Sequence, residues 1–95
     1  MAKANVKNAE SLARQLRAAG DATRLRILRT ISARSSRSRI CVSEVAAKLG
    51  LGIAIVSHHM RTLARGGLVS PERHGKRICY LLNDSKLIKL IRTYK

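Results

Sequence analysis

LGLGIAIVSHHMRTL, running from Leu49 to Leu63, is the stretch whose reading decides the fold. Gly50 closes a helix, because the residue just past a helix end often needs a positive φ that glycine takes cheaply. Leu51 and Gly52 make the turn. Val56, Met60 and Leu63 then recur at the spacing of one buried helical stripe. At roughly 100° per residue, Ala54, His58, Arg61 and Arg65 fall on the opposite side of the same helix. A short helix, a glycine turn and a second helix with one apolar and one cationic face form a helix-turn-helix pattern. Its second helix can enter a DNA major groove.

The chain around this stretch has 95 residues, which predicts one domain over residues 1–95. Twenty Lys and Arg against five acids give a net charge of +15, and self-repulsion of that size calls for an anionic partner such as double-stranded DNA. There is no Phe or Trp, so the core is modest and dimerisation would help it. Two cysteines make no disulfide framework. The first residues lack the apolar segment of a secretory signal, and no run approaches a membrane span, so the expectation is an intracellular, cytoplasmic protein.

Outward from the central pair, residues 1–6 read as a frayed start and Asn8–Ala19 as a first helix, ended by Gly20. Asp21 caps a second helix. Leu25, Leu28 and Ile31 form its stripe, Ile27 widens it, and Arg24, Arg26 and Arg29 spread around the rest. Ser35–Arg39 reads as a basic loop. Ile40–Val42 is short and β-branched at both ends, hence a strand, and Ser43 caps the helix Glu44–Leu49. Gly66-Gly67 stops the second central helix. Leu68–Ser70 starts a strand that Pro71 makes an edge or interrupts. His74-Gly75-Lys76 reads as a hairpin turn and Arg77–Leu82 as the returning strand. Asn83-Asp84 punctuates and caps a last helix, Ser85–Lys95. The expected fold is mainly α with a small antiparallel β-hairpin wing: a winged helix-turn-helix in the order α-α-β-α-α-β-β-α.

At this point the chain resembles the ArsR/SmtB family of repressors, over roughly residues 12–83. DATRLRILR from Asp21, ICVSEVA from Ile40, Leu49-Gly-Leu, VSHHM from Val56, Leu68-Val and the wing residues RHGKR from Arg73 followed by Tyr80-Leu-Leu carry the likeness. The resemblance implies a homodimer held by the first and last helices, operator binding by recognition helix and wing, and release by an inducer. The candidate DNA contacts are Ala54, Ser57, His58, Arg61 and Arg65 on the recognition helix and Arg73, Lys76 and Arg77 on the wing. The candidate dimer residues are Leu12, Leu16, Leu87, Leu90, Ile91 and Tyr94, because neither helix can hide its whole apolar stripe against so small a core.

The chain also departs from the family. Where the family is usually polar it has Gly52, Ile53, Ala54 and Ile55. An apolar run cannot hydrogen-bond a base; it can touch thymine methyls or exclude water. Cys41 matches the first cysteine of the family's arsenic-type motif, but Ser43 stands in the second position, and the last helix holds no His. No metal and no cofactor is therefore expected, since soft ions want two or three thiolates. Cys41 and Cys79 read as small packed residues or as a redox pair, because in a winged fold the first strand pairs with the third and alternation puts both on one side. His59 lies nearer the buried stripe than the outward face and reads as a core-edge histidine bonded inside the domain. The acids Glu10, Asp21, Glu44, Glu72 and Asp84 are scattered, and neither a phosphate-binding loop nor a Ser/His/Asp set is present, so no enzyme is expected. An architectural, largely non-specific nucleic-acid-binding protein is the alternative to a repressor.

Overall fold

The computed structural model describes residues 2–33, 39–83 and 85–94, with side chains from Asn8 onward. The elements are α1 (Ala2–Ala19), α2 (Ala22–Ser32), β1 (Arg39–Cys41), α3 (Val42–Leu49), α4 (Ile53–Arg65), β2 (Val69–His74), β3 (Arg77–Leu82) and α5 (Lys86–Thr93). This is the expected order. The three strands form one antiparallel sheet in the order β1-β3-β2. Pro71 therefore sits on an edge strand, where its missing N–H costs no ladder bond.

The core is built where the helical stripes meet the inner face of the sheet. Ile27, Leu28 and Ile31 of α2, Val45 of α3, Val56, Met60 and Leu63 of α4, Leu68, and Ile40 of β1 are essentially inaccessible. Each buried side chain of this size contributes about 1.5–3 kcal/mol. Gly50 closes α3 with φ 66°, as its position in the turn demands, and its N–H reaches Ala46 O. Gly66 answers a different need. It is buried where α4 ends against α1, and a Cβ there would run into Ala18.

Several boundaries differ from the sequence reading. The backbone of α1 starts at Ala2, so the expected frayed start is helical instead. The loop expected at Ser35–Arg39 falls outside the described residues except for Arg39, which opens β1. The strand expected at 40–42 is shifted back by one. Val42 already turns into α3, so Cys41 takes the cap position expected of Ser43, and its N–H donates to Glu44 Oε1 at 3.1 Å. At α5 it is Ser85 whose hydroxyl accepts the Ile88 N–H, at 3.1 Å. Asp84, expected to share the capping with Asn83, lies outside the described residues, as does Lys95.

Asn83 works as a staple instead of a cap. Its N–H donates to Leu68 O, its Nδ2 to Gly67 O, and its Oδ1 accepts the Ser70 hydroxyl at 2.7 Å. These bonds tie the end of β3 to the start of β2 and fix the root of the hairpin. Leu25, expected in the core, is turned outward; Ile27 takes its place, because α2 rotates its stripe to face α3 and α4.

Candidate nucleic-acid interface

Helix α4 is held by its buried stripe, so its opposite side is set by geometry. Ala54, His58, Arg61 and Arg65 lie exposed along that side, and Ser57 is half-buried on its flank. Arg65 Nη2 lies 3.4 Å from Thr62 Oγ1, while the Thr62 hydroxyl donates to His58 O. The helix is locked to its neighbours by Arg24. That guanidinium donates to Ala18 O at the end of α1 and to His59 Nδ1 at 3.3 Å. His59 is thus a half-buried residue bonded inside the domain, and Arg24, which the sequence reading left as one of several surface charges, is the group that holds it.

The hairpin carries Arg73, Lys76 and Arg77, all exposed. Lys76 and Arg77 share one cleft with Ser57 and Ile53 of α4, which brings the recognition helix and the wing to a common surface. Ile78 lines the same cleft. Strand alternation puts it on one face with Tyr80 and Leu82. It is exposed because the hairpin projects past the core before that face has anything to pack on. Glu72 contributes no bare negative charge to the wing. It accepts from Arg39 at 3.0 Å and from His74 at 2.7 Å, and these bonds, His74 first, hold its carboxyl below the ordinary glutamate range. Arg39 Nη1 also contacts His74 Nε2.

Cys41 and Cys79 are direct partners in the β1–β3 ladder, and a disulfide joins them. Closing a separation of 38 residues stabilises the fold by about 4 kcal/mol in the chain-entropy account. The pair lies under Arg39, His74 and Arg77 at the base of the wing. Among the described residues no group of three His, Cys, Asp or Glu side chains is placed to share a metal ion. Among them, too, no helix is long and apolar enough to cross a membrane.

On the far side, Leu12 and Leu16 of α1 and Leu90 and Tyr94 of α5 are exposed, Tyr94 to 67%. Two residues grouped with them belong elsewhere. Ile91 is buried in the chain's own core and Leu87 packs against it, because α5 turns that side of its stripe onto α2. Leu25, Leu90 and Tyr94 border a groove of about 400 Å³ between α2 and α5. Arg29 spans the end of that groove and donates to Ile91 O and Tyr94 O, satisfying carbonyls at the α5 terminus.

A three-stranded sheet with a projecting hairpin beside a helix-turn-helix defines a winged helix-turn-helix. Residues 19–72 match the family model described as "Helix-turn-helix domain". The chain is 30% identical over 88 residues, 93% of its length, to the "Transcriptional repressor SmtB homolog" of Synechocystis. It spans 64% of that relative, and 54% of a cadmium resistance regulatory protein, CadC, of Listeria innocua at 27% identity. Among solved structures it is similar to HlyU from Vibrio cholerae, with a TM-score of 0.76 and 26% identity over 90% of this chain and 88% of that one. The chain belongs to the ArsR/SmtB family of winged helix-turn-helix proteins.

Proposed function

We propose that this chain is a DNA-binding transcriptional repressor that works as a homodimer inside the cell, as one domain over residues 1–95 and as a binding protein with no catalytic role. The observation that carries the reading is the shared surface of Ser57 with Lys76 and Arg77, continued by His58, Arg61 and Arg65 along the exposed side of α4. Cations on a helix and on an adjacent hairpin match phosphates flanking a groove, while Ser57, His58 and Ala54 sit where base edges would be met. The Synechocystis relative is named a transcriptional repressor, which favours this reading.

The dimer is supported by the exposed Leu12, Leu16, Leu90 and Tyr94. A homodimeric winged helix-turn-helix domain from Mycobacterium bovis shares the fold, with a TM-score of 0.75 and 24% identity over 90% of this chain and 76% of that one. A two-fold dimer would set its recognition helices about 34 Å apart, one DNA turn. Selection of bound genomic fragments tests the function. One enriched palindrome supports a repressor. A featureless bound pool favours the architectural alternative.

The inducer in this reading is not arsenite or zinc. The Cys41–Cys79 pairing favours a redox input, in which the two thiols form the S–S bond and give two protons and two electrons to hydrogen peroxide, whose O–O bond breaks to leave two waters. Two alkylatable thiols in peroxide-treated protein, counted by intact mass without reductant, would eliminate that input.

A further inference from the structure

The first turn of α4 presents three consecutive exposed apolar residues, Ile53, Ala54 and Ile55. Ile53 is 59% and Ile55 53% exposed, whereas Val56, the next residue, is wholly buried. Successive residues on a helix are about 100° apart, so the two isoleucines flank Ala54 on opposite sides. The surroundings select the occupant. Lys76 and Arg77 border the cleft beside Ile53, and Arg61 and Arg65 are exposed about two to three turns further along the helix. An apolar tip with cations beside Ile53 and farther along the same helix suits a polyanion with an apolar feature on the floor of a groove. In duplex DNA the thymine C5-methyl is the apolar group that a base edge presents in the major groove.

We propose that Ile53 and Ile55, on either side of Ala54, read thymine through its C5-methyl groups. This deepens the DNA-binding reading above and rests on it. Hydrogen-bonding side chains in this turn would discriminate by donors and acceptors; isoleucines discriminate by enclosing a methyl. Removing one methyl-sized group from such an enclosure weakens binding about fourfold, and two about fifteenfold.

The experiment uses the whole chain and a random-sequence duplex pool. The enriched duplex is resynthesised with each thymine in turn replaced by uracil, which pairs identically but lacks the methyl. Affinity should fall about fourfold at one or two positions in each half-site. Ile53→Ala and Ile55→Ala change exposed side chains, so the fold is retained. Each should bind the thymine and uracil forms of its own position alike. Equal affinity of the unaltered protein for both forms overturns the proposal, while persisting salt-sensitive binding leaves the DNA-binding reading intact. An unchanged thymine preference in both variants also overturns it, by moving the contact to other residues. A pool with no enriched motif overturns it in favour of non-specific binding. Failure to bind any duplex overturns both readings.

Discussion

The described chain exposes large apolar side chains on two surfaces. One is the α2/α5 groove, with Leu25, Leu90 and Tyr94, to which α1 adds exposed Leu12 and Leu16; the other is the tip of α4 and the wing, with Ile53, Ile55 and Ile78. The residue types are similar, and exposed Arg26 lines the α2/α5 groove as well, but the cations differ in what they bond. Arg29, the cation bonded across the end of the α2/α5 groove, is occupied with the carbonyls of α5. On the other surface Lys76 and Arg77 border the cleft that holds Ile53 and Ile78, and Arg61, Arg65 and Arg73 are exposed farther along the helix and the hairpin. A contiguous exposed apolar patch marks an interaction surface without naming the partner. In the reading proposed above, another copy of the chain covers the first and a polyanion the second.

The largest effect that separates the two is salt. With about six phosphates neutralised, DNA affinity should follow log salt with a slope of about −5, roughly a thousandfold between 50 and 200 mM. Arg61→Ala and Arg65→Ala should each flatten the slope by about one unit. Titrations at four salt concentrations check this, and a slope near zero removes the phosphate contacts. Dimerisation, resting on apolar burial, should barely respond to the same change.

Leu90→Glu is the reciprocal test. Leu90 is 56% exposed, so the monomer should fold as before. A carboxylate buried in an apolar dimer face should weaken self-association more than a hundredfold, about 3 kcal/mol. Sedimentation across micromolar concentrations reads it. A variant as dimeric as the unaltered chain would place the interface away from α5.

The smallest effect concerns α2, which brings Leu25 and Arg29 to the apolar side. Asp21 accepts the Arg24 N–H at 3.0 Å, and that bond holds its carboxyl below the ordinary value of 3.8. A depressed folded-state pKa contributes stability that is present above the ordinary value and lost as pH falls through the folded one. The thermal midpoint should therefore decline below about pH 4, and Asp21→Asn should flatten part of the decline. Identical pH profiles for the two proteins would assign the loss to other carboxylates.

The element order, the helix-turn-helix and the outward strip of α4 were legible in the sequence. They depend on periodicity and on glycine at one positive-φ position, and both are local. The cysteine pairing was half legible: alternation put Cys41 and Cys79 on one side, but only the β1–β3 register made them partners. What tertiary structure alone decided is which side of an amphipathic helix meets which neighbour. Leu25, Leu28, Ile91 and Leu90 are equally apolar in sequence, yet the packing of α2 against α3, α4 and α5 buries Leu28 and Ile91 and leaves Leu25 and Leu90 outside. Arg24 and Arg29 read as surface charge until the fold brought the Ala18, Ile91 and Tyr94 carbonyls within their reach. Ile78 shares a strand face with Tyr80, yet Tyr80 is buried and Ile78 is exposed near the hairpin tip. Sequence fixes a side chain's direction from its own element; its burial depends on partners tens of residues away, and those exist only once the chain has folded.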